Sequence, residues 1–193
     1  MVRWISFVSA ATLGTALDLW SKDWAWTHLG NGARYDVITG WFDFMQSTNQ
    51  GAAWGLLWGQ YTFFLVVSIV AFLAIVYFVH VGPKTTWKGP FVLGLVFAGV
   101  AGNFFDRAMY GHVRDFLHAH TAETGTLHDI AMKIFGRDEW PTFNVADIFI
   151  CIGAGALVIV FWREDRSKKM ETKTPTAPAV APGPPAPVPE APK

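Results

Sequence analysis

Cysteine is almost absent from this sequence, and neither charge is in excess. The single cysteine, Cys151, excludes an intrachain disulfide framework and any metal motif built from paired cysteines. Fifteen basic and fifteen acidic side chains give a formal net charge of zero, so the composition indicates no nucleic-acid partner. The nucleophile elbow G-x-S-x-G, the zinc motif H-E-x-x-H and the P-loop are also missing. The usual serine-hydrolase, zinc-peptidase and nucleotide-binding patterns are therefore excluded.

Charged residues are missing from long stretches of the chain as well. None occurs between Asp43 and Lys84, and hydrophobic residues make up 52% of the sequence. The apolar segment inside that stretch meets the roughly 20 residues that span a hydrocarbon core. The pattern predicts an all-α membrane protein with four transmembrane helices, of which the first is a retained anchor. The predicted spans are Trp4–Trp20, Tyr61–Val81, Gly89–Phe105 and Phe143–Trp162.

Three of these spans contain too few uncharged residues to cross a bilayer unaided. Their uncharged runs of 14, 17 and 15 residues are bounded by Asp18, Asp106 and Asp147. At about 1.5 Å per residue, none of the runs reaches the hydrocarbon thickness of about 30 Å. A long basic side chain can extend toward the headgroups, whereas an aspartate cannot. We therefore expect the three aspartates at one membrane boundary.

Basic residues gather at the opposite ends of the spans. By the positive-inside rule those ends are cytoplasmic, so both termini are predicted inside and the aspartates near the outer surface. The basic residues are Arg3, Lys84, Lys88, Arg163, Arg166, Lys168 and Lys169. Eight prolines within 174–193 predict a disordered Pro/Ala-rich cytoplasmic tail. The predicted organisation is a four-helix membrane domain over 1–169 and a tail over 170–193.

Two regions between the spans carry signals of structure outside the bilayer. The segments 34–39 and 41–45 alternate in strand fashion around Gly40, which predicts a small hairpin at the membrane surface. Leu127–Phe135 has the periodicity of a short amphipathic surface helix. His118 and His120 could form a metal-binding pair, but they are predicted in a loop without a nearby cysteine. The sequence therefore predicts no metal site.

Polar residues at helical spacing mark the outer ends of the first and third spans. Asp18 and Lys22, four residues apart with the acid first, are predicted to form an ion pair. Asn103, Asp106 and Arg107 fall on one helix face. Interfacial anchoring and a structural charge cluster are the simpler explanations of these groups. An aspartate in a membrane helix costs a few kcal/mol unless it faces protein or water, which favours a role in supporting a site.

A further polar group lies ahead of the second span. The segment 49–55 combines Asn49 with Gly51 and Gly55, whose spacing is typical of closely packed membrane helices. Helix packing would explain the glycines but not Asn49. The amide of Asn49 could orient a peptide backbone.

Two aspartates stand where the chain leaves and re-enters the predicted bilayer. Asp115 lies in a return segment of mixed polarity, 113–116, and Asp147 heads the last span. Asn144 and Asp147 also have the spacing of an N-cap and its N3 partner, which is the structural explanation for both. If Asp115 and Asp147 face each other, they share one proton and hold a water that can attack a peptide carbonyl. The sequence predicts an aspartyl protease within a bilayer and leaves the two roles unassigned, because such a pair titrates as a unit.

The alternative is a small proton-linked membrane carrier that uses Asp18, Asp106 and Asp147 as a relay. Carriers of that kind often show internal repeats and broken central helices, and neither is visible in the sequence. Their acids also tend to lie near the middle of the bilayer rather than at one face.

Five ordered blocks of the sequence, within residues 1–165, resemble those of bacterial lipoprotein signal peptidases (signal peptidase II), which are aspartyl intramembrane proteases. The blocks are Asp18-Leu-Trp-Ser-Lys22, Asn49-Gln-Gly-Ala-Ala-Trp54, Gly102-Asn-Phe-Phe-Asp-Arg107, Val113-Arg-Asp-Phe116 and Phe143-Asn-Val-Ala-Asp147. The resemblance implies that Asp115 and Asp147 form the catalytic dyad. The candidate supporting residues are Asp18, Lys22, Asn49, Gly51, Asn103, Asp106, Arg107 and Asn144.

The resemblance also implies a substrate and a location. Enzymes of this family cleave prolipoproteins on the amino side of a diacylglyceryl-modified cysteine, need no metal or cofactor, and are blocked by the cyclic peptide globomycin. The family implies the bacterial cytoplasmic (inner) membrane, with the active site near its outer, periplasmic face and in contact with membrane lipid. A small extracytoplasmic β-sheet and a short surface helix are expected to cradle the substrate.

The sequence departs from the family pattern in three places. Trp54 stands where the family usually has Phe, and the proline-rich tail is atypical. The 31 residues between Asp115 and Asp147 exceed the usual spacing, so the covering helix or its loop is expected to be enlarged.

Overall fold

The structure is a computed structural model that describes residues 1–30, 32–51, 57–82, 87–122 and 124–171. The chain divides into two compact units, Met1–Val160 and Phe161–Lys193. Several predicted features lie outside the described residues: Trp54 and Gly55, the basic residue Lys84, and the proline-rich tail over 174–193.

The described residues form five helices and three strands. The helices are α1 Val2–His28, α2 Tyr61–Val81, α3 Lys88–Tyr110, α4 Thr126–Phe135 and α5 Val145–Glu171. The strands are β1 Arg34–Ile38, β2 Phe42–Asn49 and β3 Val113–Ala119. The predicted class, mostly helical with a small sheet and a short extra helix, is confirmed at this level.

Two helices are long and apolar enough to cross a bilayer. They are α2, with a mean hydropathy of 2.8, and α3, with 1.4. The apolar part of α5, Val145–Val160, is shorter. Only 11% of the apolar window of α2 is buried, so an apolar surrounding such as lipid must cover the rest of this helix. The number of four spans stays a prediction.

The first residues of α1 fix how the helices align. The Arg3 guanidinium is buried and donates hydrogen bonds to the carbonyl oxygens of His80, at 2.7 Å, and Gly82, at 3.1 Å. The Ser6 hydroxyl donates to the carbonyl of Trp87 at 2.9 Å. The start of α1, the end of α2 and the start of α3 therefore lie at one end of the bundle. Arg3 binds the terminal carbonyls of α2, which a basic residue at a helix C-terminus does favourably.

Small residues let α3 approach its neighbours closely. A Cβ atom on Gly94 would lie 2.6 Å from the carbonyl oxygen of Phe7 in α1, and one on Gly102 would lie 2.8 Å from Cγ of Asp18. Ala98, between these glycines on the same face, is fully buried. This face of small residues lets the backbone of α3 approach the side chain of Asp18.

The three strands form one antiparallel sheet in the order β1-β2-β3. The predicted hairpin around Gly40 is confirmed, and Gly40 has the positive φ of 79° that favours glycine at this turn. The return segment at 113–116 is instead the third strand, β3. Its residues are buried on both faces, so it lacks the alternation by which strands are recognised in sequence.

The register of β2 and β3 positions the residues of interest. Ser47 pairs with Asp115 and Asp43 pairs with His118. Phe116 and Leu117 of β3 pack in a buried cluster with Ala25 and Leu29 near the end of α1. The sheet is therefore anchored on the same helix that carries Asp18 and Lys22.

We expect Gly102→Ala to destabilise the protein by about 1–3 kcal/mol, because the added methyl group meets the buried Asp18 carboxylate. Thermal unfolding of the detergent-solubilised protein measures this loss. Gly89→Ala, in the same helix and with no heavy atom within 4 Å of the added Cβ, is the matched control. Equal melting temperatures for the two variants would contradict the packing described here.

Candidate active site

A network of buried charges connects α1, α3 and β3. The ammonium group of Lys22 lies 2.8 Å from Asp18 Oδ2 and 3.3 Å from Asp106 Oδ2, and none of these three side chains is exposed. Arg114 binds the second oxygen of Asp106 through Nη2, at 2.9 Å, and its backbone N–H binds Oδ2 at 2.9 Å. Two cations thus balance two carboxylates, which is what permits their burial.

Asp18 also reaches α5. Its Oδ1 accepts a hydrogen bond from the backbone N–H of Ala146 at 2.8 Å. Ala146 lies in the first turn of α5, where the N–H groups have no partner within the helix and favour a negative charge. The predicted pair Asp18–Lys22 is confirmed, and it joins three helices rather than anchoring one at an interface.

The position of Lys22 fixes the orientation of the Asn103 amide. Asn103 Oδ1 accepts a hydrogen bond from the Lys22 ammonium at 3.0 Å. An ammonium group can only donate, so the amide oxygen must face Lys22 and the amide nitrogen must face away from it. That nitrogen donates to Asp147 Oδ1 at 2.9 Å. The buried charges therefore orient a donor toward Asp147.

Asn144 and Asp147 form the predicted capping pair at the start of α5. The Asn144 side-chain oxygen accepts from the Asp147 N–H at 3.2 Å, and the Asn144 N–H donates to Asp147 Oδ2 at 3.1 Å. Asn144 Nδ2 remains free of the cap and donates to Asp115 Oδ1 at 2.6 Å and to Asn103 Oδ1 at 3.2 Å. The predicted helix cap is therefore confirmed, and Asn144 binds Asp115 in addition to capping α5.

Asp115 projects from β3 and is fully buried. Its Oδ1 accepts from Asn144, and its Oδ2 accepts from Asn49 Nδ2 at 3.1 Å. Burial raises the pKa of Asp115 to about 7, and the negative charge of Asp147 adds to this rise. The hydrogen bonds from Asn144 and Asn49 and the charge of Lys22 act in the opposite direction. Asp115 therefore titrates near neutral pH and is electrostatically coupled to Asp147.

Arg107 binds the chain that follows β2. Its Nη2 donates to the carbonyl of Gly51 at 3.0 Å, and its guanidinium lies 4.5 Å from the centre of the Phe64 ring. The Gly51 N–H in turn donates to Asn49 Oδ1 at 3.0 Å, so the Asn49 amide nitrogen is directed to Asp115. The predicted helix-packing role of the glycines does not apply to Gly51, which lies in a bend after a strand, and Gly55 is outside the described residues.

All ten residues selected from the sequence thus belong to one connected set of hydrogen bonds and ion pairs. The sequence analysis gave no role to Arg114, although it lies beside Asp115 in the quoted block. Its signal was a basic residue within a largely apolar strand, and only the structure reveals Asp106 and Asp23 as its partners, Asp23 at 2.5 Å. The site is therefore larger than the sequence predicted.

Asp147 also borders a groove of about 460 Å³. The groove is mainly apolar, which suits a ligand with hydrocarbon groups. Its lining is Asn49, Trp140, Pro141, Thr142, Phe143, Asp147, Ile148, Cys151 and Ile152. One of the two coupled carboxylates is thus accessible from an apolar surface.

Comparison with known proteins identifies the family. Residues 10–163 match the family model described as signal peptidase (SPase) II. The chain is 33% identical over 138 residues to the lipoprotein signal peptidase of Staphylococcus aureus strain MRSA252, which covers 72% of this chain and 76% of that protein. The Staphylococcus aureus strain JH9 protein of the same name matches to the same extent.

Solved structures agree with the sequence match. A bacterial membrane enzyme determined by the in meso method at 2.3 Å resolution superposes with a TM-score of 0.67 and 31% identity, over 89% of this chain and 93% of that one. A second bacterial membrane enzyme, determined at 1.9 Å, gives a TM-score of 0.65 and 32% identity over 80% and 91%. With its matching sequence, helices and sheet, the chain belongs to the signal peptidase II family of proteases.

Proposed function

We propose that this protein is an aspartyl endopeptidase that removes the signal peptide from prolipoproteins, with Asp115 and Asp147 as its catalytic pair. The observation that carries the proposal is the Asn144 side chain, which binds Asp115 and caps the helix turn that presents Asp147. Two carboxylates from distant parts of the chain are thereby held beside one amide at the edge of an apolar groove. A purely structural role would not require this shared amide or a pKa near 7 for Asp115.

The proposed reaction needs one proton on the pair. The ionised carboxylate accepts a proton from a water molecule as the water oxygen attacks the scissile carbonyl carbon. The protonated carboxyl donates a hydrogen bond to the carbonyl oxygen, on which negative charge develops. The peptide C–N bond then breaks, and a proton from the pair goes to the leaving amine. The products are the carboxyl end of the signal peptide and the new amino terminus of the lipoprotein.

The lipid on the substrate accounts for the place of the cut. We propose that the bond on the amino side of a diacylglyceryl-modified cysteine is cleaved, because two acyl chains in the bilayer would hold that bond at a fixed depth. The apolar lining of the groove beside Asp147 supports this, as does the exposed apolar surface of α2. Globomycin, which blocks the family, is proposed to compete for the same groove.

The membrane arrangement follows from the same proposal. Four spans, with both termini in the cytoplasm and the catalytic pair near the periplasmic face of the inner membrane, would place the sheet outside the bilayer. The start of α1, the end of α2 and the start of α3 lie at the same end of the bundle, as the contacts to Gly82 and Trp87 show. This supports the proposal that α2 crosses the bilayer in the opposite direction to α1 and α3. The peptidase domain is proposed to extend over 1–169 and the tail over 170–193.

A proton-linked carrier receives less support. Its relay would need Asp18 and Asp106 to exchange protons, but both are fully buried and bound to Lys22. Both carboxylates form ion pairs that connect α1 with α3, which fits a structural role. By contrast, the hydrogen-bond donors to Asp115 and Asp147 among the described residues are neutral side-chain amides and a backbone N–H.

We expect Asp115→Asn and Asp147→Asn each to lower the turnover of a diacylated prolipoprotein by at least about 100-fold, because each removes a proton acceptor from the pair. Cleavage is measured in vitro with the purified, membrane-inserted protein. Asn49 and Asn144 donate to different oxygens of Asp115, and the substitution turns one of these oxygens into an NH2 group that cannot accept. Rates are therefore normalised to the folded fraction from thermal unfolding. Asp129→Asn, an exposed change on α4, is the control, and near-normal cleavage by either catalytic variant would refute the assignment.

We expect kcat/KM to fall as pH rises above about 7, because the second ionisation of the pair removes its only proton. Removal of the Asn49 donor by Asn49→Ala destabilises the carboxylate form of Asp115 and should shift this alkaline limb to higher pH. The pH profile of kcat/KM for both proteins measures the shift. A flat profile from about pH 6 to about pH 9, or a shift toward lower pH, would be the contrary result.

We expect Lys22→Ala to lower stability by about 3–5 kcal/mol, because it leaves the buried Asp18 and Asp106 without their shared cation. Turnover per folded molecule should fall less than in Asp115→Asn, since Lys22 makes no described hydrogen bond to either aspartate of the pair and reaches Asp147 through the amide of Asn103. Thermal unfolding and kcat separate the two effects, with Lys133→Ala on α4 as the control. An unchanged melting temperature with lost turnover would overturn this division of roles.

A further inference from the structure

A second cluster of ionisable side chains lies on the sheet, apart from the proposed catalytic pair. Asp43 of β2 is the register partner of His118 in β3, and His120 follows just beyond β3. The Asp43 Oδ2 atom lies 3.3 Å from His118 Nδ1 and 3.1 Å from His120 Nε2. One ligand atom from each of the three residues lies within 4.8 Å of the other two. Asp43 and His118 are only 2% and 3% exposed, and His120 is part-buried.

The protein itself does not satisfy this cluster. Asp43 Oδ1 and His120 Nε2 are buried and have no hydrogen-bond partner among the described residues. The other ring nitrogen of His120, Nδ1, lies 3.3 Å from the carbonyl oxygen of Thr121. A carbonyl can only accept, so Nδ1 carries a hydrogen, and Nε2 faces the Asp43 carboxylate either as a lone pair or as the second N–H of an imidazolium. A ring nitrogen and a carboxylate oxygen 3.1 Å apart in a buried place need either a proton or a metal ion between them.

Other charged side chains lie around the cluster. The Asp36 carboxylate, which faces Asp43 across the hairpin, interacts with it, and Glu139 Oε2 lies 3.9 Å from His118 Nε2. Two arginines lie on this side of the sheet. Arg34 is half-exposed, 4.0 Å from Asp43 Oδ2, and bound to Glu139 at 3.0 Å. The exposed Arg137 lines the same pocket as His118. Neither arginine makes a close ion pair with Asp43 among the described contacts, so the almost fully buried carboxylate has the two histidines as its nearest partners.

The ligand types favour one kind of ion, and two of the distances are compatible with it. Zinc binds imidazole nitrogen and carboxylate oxygen at about 2.0–2.2 Å, and tetrahedral angles then place neighbouring ligand atoms about 3.3 Å apart. The two nitrogen–oxygen distances of 3.1 and 3.3 Å agree with this value. A metal-bound histidine usually directs its second nitrogen to a carboxylate or a backbone carbonyl. Glu139 lies on that side of His118, and the Thr121 carbonyl on that side of His120.

We propose that Asp43, His118 and His120 bind a divalent transition-metal ion of the zinc type. The ion ties β2 to β3 and to the segment that returns from α4, where His120 forms a β-bridge with Glu139 and the Trp140 N–H donates to the carbonyl of Ala119. Its role is structural. It fixes the strand that carries Asp115 and the beginning of the long segment between Asp115 and Asp147, and no step of the hydrolysis passes through it.

From the sequence, His118 and His120 are predicted to lie in a loop, and nothing there indicates Asp43 as a third ligand. His118 lies in β3, and strand alternation directs His118 and His120 to one face of the sheet. Asp43, 75 residues earlier, is brought to them only by the β2–β3 register. The proposal does not depend on the catalytic assignment, since the two groups of residues do not overlap.

The test uses the full chain, purified in detergent without a histidine tag and freed of metal with a chelator. The protein is dialysed against Zn²⁺, and bound metal is measured by mass spectrometry, with Mg²⁺ as the comparison ion. We expect one Zn²⁺ per chain, a higher melting temperature with Zn²⁺ than with Mg²⁺, and visible absorption typical of a tetrahedral site when Co²⁺ is used instead.

Three variants locate the ion. Asp43→Asn and His120→Gln should each weaken Zn²⁺ binding by about 100-fold or more and remove the rise in melting temperature. His112→Gln, a histidine just before β3 and outside the cluster, should bind as the unaltered protein does. Stoichiometric binding that survives in His120→Gln and Asp43→Asn would overturn the proposal.

The unaltered protein alone can also refute the idea. If it binds no Zn²⁺ while His120 titrates as a stable imidazolium beside Asp43, a proton rather than a metal occupies the space between them. Proton NMR of the histidine ring as a function of pH, with and without Zn²⁺, distinguishes these cases. A metal site predicts that the His120 resonance loses its pH dependence when Zn²⁺ is added.

Discussion

The structure depends on the neutralisation of charges that are buried where three helices and a strand meet. Lys22 lies between Asp18 and Asp106, and Arg114 completes the balance from β3. Isolated ions would cost many kcal/mol in such a place, and paired ions are retained where they specify an arrangement. Here the arrangement is the relative position of α1, α3, α5 and β3, because each contributes a partner and none can move without leaving a charge unpaired.

That constraint extends to the proposed catalytic pair through neutral amides. Lys22 determines which end of the Asn103 amide faces Asp147. Asn144, which caps the first turn of α5 that carries Asp147, also binds Asp115. The charges lie on one side of the two asparagines and the coupled aspartates on the other. The aspartates are therefore positioned precisely by charged groups without being bound to a fixed cation, and their proton affinities can separate.

The sequence predicted much of this site because its signals are local. The Asp18–Lys22 pair, the Asn144–Asp147 cap and the polar face of α3 each follow from helical spacing, and the shortness of the uncharged runs placed three aspartates at one level. The hairpin around Gly40 and the helix α4 were likewise readable from alternation and periodicity. These features need only a few neighbouring residues to be recognised.

The features that the sequence did not reveal depend on long-range register. Strand β3 is buried on both faces, so it carries no alternation, and nothing in the sequence near Arg114 indicates its partners Asp106 and Asp23. Asp43 joins His118 only because β2 and β3 pair in one particular register. Arg3 was read as a membrane-flanking charge, whereas the structure buries it against the last carbonyls of α2.

The central claim is that Asp115 and Asp147 behave as one titrating unit with a single proton at neutral pH. Infrared spectroscopy of the protein in lipid bilayers can follow the carbonyl stretch of a protonated carboxyl group as pH is raised. The account predicts a band that disappears around a pH of about 7, that is missing from Asp115→Asn, and that disappears at a lower pH in Asp147→Asn, where the neighbouring negative charge has been removed. A band that persists unchanged in both variants would contradict it.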